Sequence, residues 1–234
     1  MNIIITGASR GIGYEIVKKL IQAGDHKVLI LSRNIARLNQ LVDECKQIVP
    51  GAQVYPHNLD LRDPTFQKKL PPVVIDKLEK VDILINNAGH LINKPFIELT
   101  AEEFDEVFEV NVKSVVRLIQ SLYPHFNSPS HIVNIGSMGG FQGSMKFPGL
   151  SLYSASKGAL AVLSECLAEE FKETGINVNC LALGSAQTEM LKEAFPNYKP
   201  PLTAEQMADL ICDFALKGHT YFNGKILPVA LSVP

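Results

Sequence analysis

No apolar run in this chain of 234 residues approaches the roughly 18 that a membrane helix needs, which excludes a spanning protein. Neither sign of charge dominates: Lys plus Arg number 22 and Asp plus Glu 24, a net charge of −2. That balance supplies no electrostatic reason to expect nucleic acid or an acidic membrane surface as partner. The cysteines, Cys45, Cys166, Cys180 and Cys212, form no Cys-x-x-Cys pair, and the histidines (26, 57, 90, 125, 131 and 219) show no metal spacing. Buried free thiols in a reducing cytoplasm are the expectation, with no metal. Met1-Asn2 leads straight into Ile3-Ile4-Ile5, without the basic region and longer apolar stretch of a secretory signal, so a cytoplasmic location is expected. Linkers, repeats and low-complexity runs are missing too, and residues 1–234 read as one domain.

What is present is a regular alternation. Apolar, β-branched runs at Ile3–Thr6, Lys27–Leu31, Gln53–Pro56, Asp82–Asn86, His131–Gly136, Asn177–Ala182 and Lys225–Val229 read as strands. Amphipathic stretches at Gly11–Ala23, Ile35–Ile48, Pro64–Lys80, Ala101–Tyr123, Tyr153–Lys172 and Ala204–Lys217 read as helices. Such alternation predicts an α/β fold: a seven-stranded, mostly parallel sheet with helices on both faces. Strands such as Ile3-Ile4-Ile5 and Ile83-Leu84-Ile85 are apolar at every position, as burial on both faces requires. The pairs Pro71-Pro72 and Pro200-Pro201 read as loop punctuation.

Strand 1 enters Thr6-Gly7-Ala8-Ser9-Arg10-Gly11-Ile12-Gly13 just before a helix. Three glycines there let backbone approach a pyrophosphate, and the helix start offers it free N–H groups. The spacing is Gly-x-x-x-Gly-x-Gly, so the generic dinucleotide fingerprint is met only approximately. Taken alone, the turn is weak evidence, since a glycine-rich loop can also merely pack a helix against a sheet.

Tyr153-Ser154-Ala155-Ser156-Lys157 begins a helical pattern, and residues four apart share a helix face. A fixed cation beside a phenol favours phenolate, which brings its pKa down toward neutral pH. Asn86-Asn87-Ala88-Gly89, Asn111 and Ile135-Gly136-Ser137 fall at or just beyond carboxyl strand ends, where open parallel sheets bind ligands.

With these motifs in this order, the chain resembles the short-chain dehydrogenase/reductase family over about its whole length, which implies a doubly wound Rossmann domain. The resemblance maps the catalytic tetrad onto Asn111, Ser137, Tyr153 and Lys157. Tyr153 would exchange the proton, Lys157 would hold the nicotinamide ribose and tune Tyr153, and Ser137 would bond the substrate oxygen. Asn111 would anchor a water, its backbone bending the helix locally. Cofactor contacts are implied at Gly7, Ser9, Arg10, Gly11, Ile12, Gly13, Asn87, Ala88, Gly89 and Gly184. Thr188 would meet the carboxamide of nicotinamide, and Asp60 with Leu61 the adenine ring. The implied reaction reduces a ketone or aldehyde, or runs in reverse, on a small-molecule substrate.

Strand 2 ends in Ser32-Arg33-Asn34, without the acid that binds a ribose 2′-hydroxyl. Arg33 can meet a 2′-phosphate through its planar fork, with Arg10 approaching from the glycine turn, so NADP(H) is expected. Two departures from the family stand out: Leu183-Gly184 where Pro-Gly is usual, and no Asp-Gly-Gly near the C-terminus, which puts the last strand in question. The longer stretch between Ser137 and Tyr153, at Gly143–Pro148, is expected to reshape the substrate cleft. Met138, Phe141, Met145, Phe147, Phe195 and Tyr198 could wall that cleft, and His90 could touch substrate. Glu102-Glu103 and Glu169-Glu170 read as solvated helix faces. A homodimer or homotetramer is implied, with Val115, Leu118, Ile119, Leu122, Leu160, Leu163 and Leu167 as the shared helix face. The competing reading is an NADP-binding sensor of the same fold that lost turnover.

Overall fold

The computed structural model describes residues 1–231. The strands are β1 (Asn2–Thr6), β2 (Lys27–Ser32), β3 (Gln53–Asn58), β4 (Val81–Asn86), β5 (Phe126–Ser137), β6 (Ile176–Leu183), β7 (Ala186–Gln187), β8 (Leu202–Thr203) and β9 (Ile226–Val229). Seven of them form one sheet in the order β3-β2-β1-β4-β5-β6-β9, while β7 and β8 pair separately. Every pairing is parallel. The questioned last strand is therefore present, at Ile226–Val229, beside β6.

The helices are α1 (Gly11–Ala23), α2 (Ile35–Ile48), α3 (Phe66–Leu78), α4 (Ala101–Phe108), α5 (Ser114–Leu122), α6 (Ser151–Glu170), α7 (Glu189–Ala194) and α8 (Ala204–Lys217). Ile3 and Ile5 enter the core beneath α1, α2 and α8; Ile4 enters the opposite core beneath α3, α5 and α6. Alternate residues of one strand thus feed two apolar layers, which is why the strand is apolar throughout. Chain order reverses between β1 and β4, so the carboxyl ends of these strands open a crevice there.

Several expectations change. Pro71 and Pro72 lie inside α3, not in a loop. Phe66, Leu70, Val74 and Leu78 bury one face of that helix, and this packing overrides the helix-breaking tendency of proline. The expected helix over 101–123 is two helices joined by a π-helical turn at Glu109–Lys113. The proposed oligomer face is largely internal: Val115, Leu118, Ile119, Leu122 and Leu160 are buried within this chain, with Leu163 and Leu167 packed against them. Their helical periodicity reflects the contact with the sheet. Cys166 is exposed, whereas Cys45, Cys180 and Cys212 are buried free thiols. Glu103 is more than a solvated acid, because it closes a capping box with Thr100 and pairs with Lys94 at 3.0 Å.

Candidate active site

The carboxyl ends of the strands enclose a cleft of about 780 Å³, within the range of small-molecule sites. All the sequence-predicted site residues line it except Asn111. Asn111 is fully buried on the π turn and acts from behind. Its amide donates to His90 O and Ser156 Oγ, both at 2.9 Å, and accepts the His90 N–H at 2.7 Å. Ser156 Oγ donates to Tyr153 O at 2.7 Å. One side chain thereby ties the loop after β4 to the first turns of α6. The local bend expected at Asn111 is this π turn.

A second buried chain sets α6 on the sheet. Asn86 donates to Asn134 Oδ1 at 2.8 Å, and Asn134 donates to Ser164 Oγ at 2.9 Å. Ser164 in turn bonds Leu160 O at 2.7 Å. These paired polar groups fix one geometry, since leaving any of them unpartnered while buried is costly. Ser156, Asn134 and Ser164 were not singled out from the sequence. For Ser156 a signal existed: a helical serine readily back-bonds the carbonyl three or four residues earlier.

Tyr153 and Lys157 stand side by side on α6, the Lys157 Nζ 5.8 Å from the phenol ring centre. The ammonium is buried and donates to Ile135 O at 2.7 Å. Burial brings its pKa down to about 8, a shift that the nearby Cys180 thiol partly offsets. Burial likewise pushes the Tyr153 phenol above its ordinary value, with the Ser137 hydroxyl pulling the other way. The expected lowering of Tyr153 by Lys157 is thus reversed. Removing water disfavours both charged forms, and the ammonium is directed at a backbone carbonyl. Ser137 Oγ accepts the Gly139 N–H at 3.1 Å, which leaves its own O–H to donate to the Tyr153 phenol or to a carbonyl placed beside it.

The glycine turn is braced from across the sheet. Asn87 Nδ2 donates to Thr6 O at 3.0 Å and Gly7 O at 3.2 Å. Thr6 Oγ1 receives the N–H groups of Asn87 and Ala88 at 3.1 and 3.0 Å. The Asn87 side chain is accordingly a strut for the turn rather than a free ligand group. A Cβ on Gly7 would lie 2.8 Å from Ala88 Cα, and one on Gly13 would lie 2.4 Å from Asn87 Nδ2. Only glycine permits these approaches. No side chain caps α1 at Arg10, so its leading N–H groups face the cleft. Turn, uncapped helix and lysine together fit a nicotinamide dinucleotide: backbone donors for pyrophosphate, and two further ammonium hydrogens for ribose.

Ser32 Oγ donates to Ser9 Oγ at 2.8 Å, which joins the end of β2 to the glycine turn. Arg33 is exposed beside them. Asp60 is gripped by Arg62, with Nη2 and Oδ2 2.7 Å apart, and this contact holds its carboxyl below the usual range. Arg10 points elsewhere than expected: its Nη1 lies 2.8 Å from Glu193 and 3.3 Å from Glu189. Thr188 Oγ1 caps α7 by accepting the Leu191 N–H at 3.2 Å, leaving its O–H able to donate. A Cβ on Gly184 would lie 2.8 Å from the Ala230 Cβ and 3.3 Å from Val229 O, so the end of β9 and the residue after it press on that wall.

Met138, Met145, Phe147, Phe195 and Tyr198 line the cleft, whereas Phe141 does not. The longer 143–148 stretch therefore reaches the site, as expected. His90 also lines it, 3.6 Å from Glu106.

Residues 1–199 match the short chain dehydrogenase family. The chain belongs to that family. Among its relatives is an uncharacterized oxidoreductase of Staphylococcus epidermidis, 28% identical over 94% of this chain and 92% of that protein. A short chain dehydrogenase from Burkholderia cenocepacia, solved in complex with NADP, superposes with a TM-score of 0.87 at 28% identity, covering 97% and 95% of the two chains. A 3-ketoacyl-(acyl-carrier-protein) reductase from Brucella melitensis, solved with NADH, superposes at 0.85 with 26% identity, covering 97% and 96%. This short-chain dehydrogenase thus has solved neighbours holding either nicotinamide cofactor.

Proposed function

We propose that this short-chain dehydrogenase is an NADPH-dependent reductase that converts an uncharged ketone or aldehyde to its alcohol, with Tyr153 as the proton donor. The reading rests on one observation: Ser137, Tyr153 and Lys157 converge at the carboxyl end of β5, beside a turn that only glycines can form. When bound, the cofactor supplies the hydride. The chain's own task is to hold the carbonyl and deliver a proton. Ser137 donates to the substrate oxygen and stabilises the charge developing there. Tyr153 gives that oxygen its proton. With burial raising its pKa, the phenol stays protonated through neutral pH, the form that reduction needs. Lys157 offers its remaining hydrogens to the ribose, and Asn111 holds α6 in register with the loop after β4.

NADPH is preferred to NADH in this reading because Ser32 and Arg33 stand where an acid would select the 2′-hydroxyl. Met138, Met145, Phe147 and Phe195 favour a substrate with an apolar body. A cytoplasmic setting and self-association complete the proposal. The latter would use exposed residues of α4 and α6 such as Phe104 and Val162, since the leucine face is internal.

Tyr153→Phe tests the chemistry. Turnover should fall by about three orders of magnitude or more while nucleotide affinity holds, because the ring still packs but has no proton to give. Near-normal reduction by this variant would end the proposal. Direction gives a second check: reduction should persist below pH 7, whereas alcohol oxidation, which needs the phenolate, should rise toward alkaline pH.

A further inference from the structure

Arg10 and Arg33, both expected at a nucleotide 2′-phosphate, differ in availability. Arg33 is exposed, with its carbonyl taken by Asn58. Arg10 is engaged, by Glu193 at 2.8 Å and Glu189 at 3.3 Å. Arg37 on α2 grips the same Glu189 carboxylate at 3.0 Å. Four side chains from the glycine turn, α2 and α7 therefore meet at one rim of the cleft. The pairs contributed by α7 lie more than 150 positions along the chain from their arginines. The same elements come close a second time, because Thr188 caps α7 and its methyl lies near enough to Gly11 that a Cβ there would meet it at 3.4 Å.

Carboxylate and phosphate oxygens use the same N–H donors of a guanidinium. A ligand that takes Arg10 gains only the difference between its own contact and the one it displaces. We propose, on the strength of the NADPH reading above, that Glu189 and Glu193 compete with the nucleotide 2′-phosphate for Arg10 and so set the margin of NADPH over NADH. The two glutamates fasten α7 across the glycine turn, and the phosphate unfastens that end by drawing Arg10 away. A ribose 2′-hydroxyl carries no charge with which to displace them. Glu189 retains Arg37 throughout, so α7 loosens at one end without losing its hold on α2.

The test is nucleotide binding, followed by fluorescence titration of NADPH and of NADH in low salt. Glu189→Gln with Glu193→Gln should tighten NADPH about threefold to tenfold, the scale expected for freeing Arg10 from its two exposed ion pairs. NADH affinity should move less than twofold. Glu193→Gln alone should give a smaller gain of the same kind, and in an Arg10→Ala background the gain should vanish. An equal gain for both nucleotides, or none for NADPH, overturns the competition while leaving the reductase reading intact. Unmodified protein that binds NADH at least as tightly as NADPH overturns the cofactor reading and the competition with it.

Discussion

On the floor of the cleft, Asn111, Ser156, Asn134 and Ser164 are wholly buried, while on its roof the side chains of Glu189 and Glu193 are 49% and 64% exposed. The floor is held by neutral hydrogen bonds whose partners have no water to turn to. Each one broken leaves an orphan, which is costly. The roof is held by ion pairs that water and salt can replace, and these contribute little to stability. Residues that must stay in register with one another sit on the first kind of support. The element that covers the cofactor groove sits on the second. The difference teaches where precision and where movement are affordable in this fold.

Breaking the glycine turn or the floor should cost most. In Gly13→Ala the new methyl would meet Gly7 O at 2.5 Å as well as Asn87 Nδ2 at 2.4 Å. Because one of these is backbone, the turn must shift. A stability loss of about 3 kcal/mol or more in urea, with nucleotide binding falling at least a hundredfold, is the expected outcome. Asn111→Ala removes three hydrogen bonds, the one to Ser156 wholly buried, and should cost about 2–4 kcal/mol, with the loss read from the denaturation midpoint.

An acid titration probes burial elsewhere in the sheet. His131 on β5 lies between Ala215 O and Asn179 Nδ2, each at 3.0 Å, and burial brings its pKa from 6.5 to about 4. Between those values the unfolded chain binds a proton that the folded protein refuses. Stability therefore rises with pH across this window and is lost as pH falls. Going from pH 7 to pH 5, the unmodified protein should lose about 2 kcal/mol more than His131→Leu does. An equal loss in the two would mean that the imidazole is protonated in the folded protein.

The roof gives the smallest effect on stability. Glu189→Gln should move the melting temperature by no more than about 2 °C. Tryptic cleavage at the exposed Lys192 should nevertheless quicken severalfold. A large fall in melting temperature would show α7 to be part of the floor after all.

Much of this plan could be read from the residues. Doubly buried strands write themselves as unbroken apolar runs, and the glycines mark the turn, so sheet, crevice and cofactor end were legible. The leucines of α5 and α6 misled because periodicity reports that a face is covered, not by what. Pro71 and Pro72 misled because a local rule yielded to packing. The contacts of Arg10 with Glu189 and Glu193 left no local signal, since nothing near Arg10 in the chain announces a carboxylate so far along it. The Tyr153 shift was misjudged for a related reason: desolvation depends on the surrounding fold, whereas the spacing to Lys157 is visible in five residues.

The strut from Asn87 also bears on the order of assembly. The glycine turn is synthesised well before β4, and the side chain that fixes its carbonyls lies 80 and 81 positions later. Its strand, β1, is flanked by β2 and β4, and only β2 is a near neighbour in the chain. Loop closure must be met before such distant pairings can form, which makes parallel sheets slow to assemble. Before β4 docks, only β2 restrains the turn, through Leu31 O and Ser32; its own carbonyls gain their strut last.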